Sequence, residues 1–338
     1  MLSAVLTRPG EIEIQEVPMP EPSGGEILVR IKSSLTCGTD LKAFIRGHSL
    51  IPMPGPFGHE FSGIVADKGK GVKKFKIGDP VMAVHSAPCL RCSYCRKGVF
   101  NLCDNLMSEK VLGAFSEYIL LPERVVKQNV FMKPESLSYK EAAFLEPLSC
   151  VVHGMEPLGL NKRDTVFIIG AGPIGLLHLL LAKSRGARVI ITGLEEERLR
   201  TAKKLGADLA FDPSQTIKSV RDFTGGIGAD YVFECTGQPA IWEASTDYVR
   251  KGGTVILFGG CRAGTEVRFS AERLHYDEIT LKGAFHFTPQ DVKKAFLVLR
   301  NKTIDVKKLI SGTCQLKDIQ TVFARLVKGE GVKYAFTP

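Results

Sequence analysis

Apolar positions change their period about halfway along the chain. Up to about residue 150 they come in short alternating runs separated by Gly, Pro and Lys: Ile12-Glu13-Ile14, Ile27-Leu28-Val29-Arg30-Ile31, Ser62-Gly63-Ile64-Val65 and Pro80-Val81-Met82-Ala83-Val84. Alternation with such punctuation predicts half-buried antiparallel strands. From Thr165 the runs become continuous. Thr165-Val166-Phe167-Ile168-Ile169 enters a glycine turn, and a leucine-rich stretch follows to about Arg185. A second strand (residues 187–192), an amphipathic helix (196–205) and two further apolar strands ending in glycine, Ala229 to Gly237 and Gly252 to Gly259, continue the series. Strands alternating with helices predict a parallel, doubly wound sheet, so the fold class is α/β with a separate β-rich domain. From about Phe287 a helix (Pro289 to Arg300) and a strand-like tail follow, which we expect to return to the first domain. The expected division is therefore residues 1–150 with 287–338, and residues 151–286.

The turn itself, Gly170-Ala171-Gly172-Pro173-Ile174-Gly175, carries the first chemistry. One glycine lets the turn close, the next lets a pyrophosphate approach the backbone, and the third lets helix and strand pack closely. The helix N-terminus offers free N–H groups to the phosphates. Such a hexapeptide also occurs for purely structural reasons; the βαβ spacing around it favours a dinucleotide site.

At 338 residues the chain exceeds one comfortable core. Its net charge of +9 is scattered, and the densest basic stretch, Lys68 to Lys76, is glycine-broken and reads as a solvated turn. No aromatic interleaving suggests nucleic acid. No apolar run reaches membrane-spanning length and no leader pattern opens the chain, so a cytoplasmic protein is expected. Nine cysteines there argue against a disulfide framework, and their clustering points to metal. Cys89, Cys92, Cys95 and Cys103 can fill a tetrahedral zinc shell without leaving a position for substrate, which is a structural site. Free thiols or a redox pair are the weaker alternatives.

A dispersed set is less telling one residue at a time. Cys37 could be a small core residue, His59 a satisfied buried histidine, and Glu60 or Glu146 a surface charge. Beside a dinucleotide site they read differently, because a Cys, a His and a carboxylate leave one zinc position open for an alcohol oxygen. Nicotinamide would take the hydride.

In the order Cys37-Gly38-Thr39-Asp40, Gly58-His59-Glu60, the four-cysteine lobe, Glu146-Pro147-Leu148 and the glycine turn, the whole chain resembles the zinc-dependent medium-chain dehydrogenases, specifically the branch with the sorbitol (polyol) and threonine dehydrogenases. The resemblance implies a GroES-like catalytic domain built from both termini around a central Rossmann domain, with the active site in the cleft between them. It makes Cys37 and His59 catalytic-zinc ligands, with Glu60 or Glu146 as the carboxylate. It gives the Thr39 hydroxyl contact with the substrate oxygen and the start of proton release. Cofactor contacts are expected from Gly170, Gly172, Pro173, Ile174, Gly175, Gly193, Leu194, Arg198, Cys235, Thr236, Gly237, Phe258 and Gly259. A homo-oligomer, dimer or tetramer, is implied as well.

Two positions depart from the pattern. Lys42 stands where those enzymes often carry a histidine, which bears on proton relay and substrate preference. Gly193 replaces the acid that normally accepts the adenosine ribose hydroxyls of NAD, yet Glu195, Glu196 and Glu197 disfavour a 2′-phosphate, and the balance tips to NAD over NADP. His178 reads as packed or capping. His48, His85, His275 and His286 show no ligand spacing, although His48 and His286 could approach the cleft. The expected activity is reversible oxidation of a secondary alcohol of a polyol or sugar derivative. A threonine-type amino alcohol is the nearest competitor, and a phosphorylated polyol held by Lys42 or Arg46 is a further candidate. A zinc-independent quinone reductase or a non-catalytic relative would not need Cys37 and His59.

Overall fold

A computed structural model describes residues 1–338 and divides them into two compact units, Met1–Val152 with His286–Pro338, and His153–Phe285. In the first unit a seven-stranded sheet runs in the order Ile310–Gln315, Lys333–Thr337, Ile27–Leu35, Glu60–Lys68, Pro80–Ala83 and Val130–Met132, with Tyr118–Leu121 also paired to Ile27–Leu35. All its pairings are antiparallel except that of Ile310–Gln315 with Lys333–Thr337. A smaller sheet joins Glu11–Glu16, Leu2–Arg8 and Gly55–Pro56. The period-two pattern explains the core: Ile27, Val29 and Ile31 enter one buried cluster with Phe61, Val65 and Ile119. A second cluster gathers Phe57, Phe115, Phe323 and Phe336, whose tilted and edge-on rings lie 5.1–5.9 Å apart. Two of those rings come from the last 16 residues of the chain, so the C-terminus is part of this core and not an appendage.

The second unit holds a six-stranded sheet, Leu209–Phe211, Arg188–Thr192, Thr165–Ile169, Ala229–Glu234, Val249–Leu257 and Thr280–Gly283, parallel throughout. It is the doubly wound sheet that the continuous apolar runs predict. Thr165–Ile169 is buried along its whole length, since a parallel strand is covered on both faces. Its two neighbours are the strands that follow on opposite sides, so the winding reverses beside it and opens a crevice at its carboxyl end. The helix Pro173–Ser184 that leaves this end buries Leu176, Leu177, His178, Leu179, Leu180, Leu181 and Ala182. A helix apolar all round belongs inside a protein. No helix is long and apolar enough to cross a membrane.

Candidate functional site

Cys37, His59 and Glu60 are brought together in the first unit by strand pairing. Cys37 caps the helix Gly38–Arg46, where its Sγ accepts from the Thr39 N–H at 3.5 Å. Leu35, two residues before it, lies opposite Glu60 in the sheet. One ligand atom from each of Cys37, His59 and Glu60 falls within 4.8 Å of the others. Asp40, fully buried in the first turn of the same helix, sits 3.1 Å from His59 Nδ1, where a carboxylate can orient the ring. Glu60 is paired through Oε2 with the buried ammonium of Lys333, which also donates to the Thr36 carbonyl. Burial pushes the Glu60 carboxyl up to about 7 against the pull of Lys333. Its Oε1 is buried and has no partner. A thiol, an oriented imidazole and a carboxylate oxygen lacking a partner are the donor chemistry of an open zinc site, so these residues fit the ion.

Glu146 falls in a second cluster close beside the first, and the charges of His59, Lys333 and Asp40 all act on it. It lies on the helix Leu145–Met155, where the Cys150 thiol, one turn on, is 3.8 Å from its Oε1. It clusters within 4.8 Å with His85 and His286, two residues whose spacing in sequence predicts nothing. His85 Nδ1 is 3.5 Å from Glu146 Oε1. The His85 ring stands edge-on to those of His59 and His286, at 5.1 and 5.2 Å. Burial pulls the His85 imidazole well below its ordinary range, with His59, His286 and Lys110 adding to the effect. The faint signal for these residues was polarity out of place: His85-Ser86 ends an apolar strand run, and His286 stands between Phe285 and Phe287. Asp40 and Lys333 were also missed, because an isolated charge carries no period.

The Sγ atoms of Cys89, Cys92, Cys95 and Cys103 likewise lie within 4.8 Å of one another, around a small cluster with Leu106. Backbone N–H groups of Arg91 and Cys92 stabilise the Cys89 thiolate and hold its thiol down at about 6, whereas burial pushes Cys95 up to about 12. Four convergent sulfurs fit a tetrahedral ion with no open position.

At the glycine turn, Gly170 adopts φ 111°, which favours glycine. A Cβ on Gly175 would lie 1.9 Å from the Gly170 carbonyl oxygen, so the turn and its helix pack as only glycine permits. A Cβ on Gly172 would meet nothing within 4 Å, and this residue caps the helix with no side-chain bond to its N–H groups, with Pro173 next. The second glycine thus faces open space with free N–H donors beside it, which fits a dinucleotide pyrophosphate. Gly193 has a packing reason of its own: its Cβ would be 2.7 Å from that of Ala171. Leu194 is exposed, and Arg198 reaches Glu195 at 3.5 Å. Buried Glu234 braces the Cys235-Thr236-Gly237 turn by accepting from the N–H groups of Thr236 (2.7 Å) and Gly237 (3.2 Å) and from the Thr236 hydroxyl. Gly259 packs against that turn, and its carbonyl accepts from Trp242 Nε1 at 2.9 Å. Phe258 lies edge-on to His178 at 4.8 Å.

Residues 23–131 match the family model of the alcohol dehydrogenase GroES-like domain, and residues 173–301 match that of the zinc-binding dehydrogenases. A sorbitol dehydrogenase of Halalkalibacterium halodurans is 33% identical over 97% of this chain and 96% of its own length. A D-arabitol-phosphate dehydrogenase of Enterococcus avium is 32% identical over 94% and 91%. Among solved structures, that of a protein from Sinorhizobium meliloti 1021 described as a zinc-binding dehydrogenase and bound to NADP superimposes with a TM-score of 0.89. It shares 30% identity, over 100% of this chain and 99% of that one.

Proposed function

Because this chain belongs to the zinc-dependent medium-chain dehydrogenases, in their sorbitol (polyol) branch, and is a polyol oxidoreductase, we propose that Cys37, His59 and Glu60 hold its catalytic zinc and that Cys89, Cys92, Cys95 and Cys103 hold a structural one. The observation that carries this reading is the convergence of Cys37, His59 and Glu60 within 4.8 Å, with Asp40 3.1 Å from Nδ1 of His59. When bound there, zinc supplies a Lewis acid that makes an alcohol hydroxyl more acidic. The side chains do the rest. Asp40 orients His59, and Lys333 holds one oxygen of Glu60 so that only Oε1 is left to face the ion. Thr39, in the first turn of the helix capped by Cys37, accepts the hydrogen bond of the substrate hydroxyl and, as it takes that proton, passes its own on to water. Glu146, paired towards His85, is the neighbouring carboxylate.

The dinucleotide occupies the turn from Gly170 to Gly175, with Gly193, Leu194, Arg198, Cys235, Thr236, Gly237, Phe258 and Gly259 around it. NAD and NADP both remain candidates. The acidic run Glu195 to Glu197 supports NAD, and the NADP carried by the Sinorhizobium protein supports the other. The packing of Gly193 on Ala171 removes its missing carboxylate as an argument for NADP. The substrate is an unphosphorylated polyol or its phosphate, the latter as in the name of the Enterococcus relative. Self-association into a dimer or tetramer is part of the same reading, and sedimentation tests it.

The deciding experiment follows reduced nicotinamide produced by the zinc-loaded protein, with NAD and NADP in parallel, on polyols, polyol phosphates, threonine and monohydric secondary alcohols. A polyol or its phosphate should win, and Thr39→Val should lose turnover with zinc content unchanged. Normal rates in Thr39→Val, or turnover of quinones without zinc, would refute the assignment.

A further inference from the structure

Bracing a turn needs a hydrogen-bond acceptor but not a charge, and Glu234 supplies both. It is the last residue of the strand Ala229–Glu234 and is fully buried. A buried carboxylate is ordinarily paired with a cation. The groups that hold this one are neutral donors instead. Its Oε1 accepts from the Thr236 N–H at 2.7 Å and from the Thr236 hydroxyl, the Gly237 N–H lies 3.2 Å from both carboxylate oxygens, and Trp242 stabilises the charge as well. A peptide N–H can only donate, so these partners suit the ionised form, which only accepts. The main-chain carbonyl of Glu234 is used too: it accepts from the N–H groups of Phe258 (3.0 Å) and Gly259 (2.8 Å). Glu234 thereby joins the turn after its own strand to the turn after Val249–Leu257. The first of these abuts the glycine turn, since a Cβ on Gly170 would lie 3.0 Å from Thr236 Cγ2.

Strand order decides which half of a dinucleotide passes over that charge. The adenosine ribose belongs at the end of the second strand of such a sheet, here Arg188–Thr192, and the pyrophosphate at the glycine turn after Thr165–Ile169. Arg188–Thr192 lies on one side of Thr165–Ile169 and Ala229–Glu234 on the other, with Val249–Leu257 beyond it. With adenosine over the first, the nicotinamide half extends over the last two. The oxidised ring is a cation and the reduced ring is neutral, so a nearby negative charge favours the oxidised one. We propose that the buried charge of Glu234 biases the bound cofactor towards its oxidised form, so that reduced dinucleotide is released more readily than the same site would release it without that charge. The inference rests on the placing of the dinucleotide at residues 170–175, 235–237 and 258–259. A purely structural role for Glu234 would treat the two forms alike. Neighbouring strands are about 4.8 Å apart, so a ring over these strand ends comes within about 10 Å of the carboxylate. At that separation, with an effective dielectric constant of about 20, a unit charge shifts the preference about tenfold.

Calorimetric Kd values for NAD⁺, NADH, NADP⁺ and NADPH are measured on the zinc-loaded wild type, Glu234→Gln and Thr236→Val. Glutamine has the same size, keeps an oxygen for the Thr236 N–H and hydroxyl, and carries no charge. Thr236→Val loosens the turn and leaves the charge in place. For whichever pair binds, the ratio of the oxidised to the reduced Kd should rise about fivefold to tenfold in Glu234→Gln and stay at its wild-type value in Thr236→Val. An unchanged ratio in Glu234→Gln, with both forms weakened equally or not at all, would overturn the inference and leave the dinucleotide site standing. So would the same rise in Thr236→Val, which would assign the preference to the shape of the turn. A wild type that binds none of the four would bring down the placing of the dinucleotide, and this inference with it. Should Glu234→Gln fail to fold, Glu234→Ser, which admits water to the freed N–H groups, removes the same charge and is read by the same ratio.

Discussion

His178 should make the stability of the nucleotide-binding unit depend on pH, and the size of the effect follows from its surroundings. It lies on the helix Pro173–Ser184, one turn after Ile174, whose carbonyl is 3.0 Å from its Nδ1. A carbonyl can only accept, so Nδ1 carries the hydrogen and Nε2 bears the lone pair. That Nε2 is buried without a partner among Phe233 and Phe258, whose rings are 4.4 and 4.8 Å away. Burial pulls the imidazole from 6.5 down to about 4, opposed by the Ile174 carbonyl. Between those values the unfolded chain binds a proton that the folded one refuses. The stabilisation is therefore complete above pH 6.5 and is lost as pH falls towards 4, a total of about 3 kcal/mol. About 2 kcal/mol of it should disappear between pH 7 and pH 5. His178→Leu removes the titrating group, at a cost of about 1 kcal/mol for the lost hydrogen bond, which does not vary with pH. Trp242 is the sole tryptophan and lies in this unit, so its fluorescence in urea reports the right transition. The wild type should lose about 2 kcal/mol more than His178→Leu over that interval. Parallel pH dependences in the two proteins would refute the argument, because every other titrating group is common to both.

Lys333→Met should cost about 1–3 kcal/mol at pH 7, since the buried Glu60 carboxyl, raised to about 7 even beside the lysine, then takes up a proton and loses its hydrogen-bond partner, and the cost should grow as pH rises further; unchanged stability of this variant in denaturant unfolding would mean that the pair is not the brace described here. Gly175→Ala should abolish NADH and NADPH binding in a fluorescence titration, because its Cβ would sit 1.9 Å from the Gly170 backbone oxygen and the turn would have to shift to admit it. Unaltered binding with unaltered stability would show that the turn is looser than its geometry.

What could be read from the sequence is what short range decides. A glycine turn between an apolar strand and a leucine-rich helix fixes its own geometry within a dozen residues, and Gly170 and Gly175 sit where φ and close packing demand them. Four cysteines within fifteen residues, 89 to 103, have little choice but to meet. Continuous apolar runs can be satisfied only by strands covered on both faces, and so the parallel sheet was legible too.

The polar surroundings of Cys37, His59 and Glu60 were not legible, because strand register and the return of the C-terminus assemble them. Lys333 opens the strand Lys333–Thr337, which pairs with Ile27–Leu35 through Ala335 opposite Leu35; a slip of one residue would turn the lysine to the other face and leave Glu60 buried alone. Ser86 and His286 lie 200 residues apart and meet at 2.7 Å. Local sequence therefore determined the fold class, the turn and the cysteine lobe. Which charges and imidazoles surround Cys37, His59 and Glu60 was decided by tertiary structure, because contacts between distant residues exist only after the strands carrying them have paired.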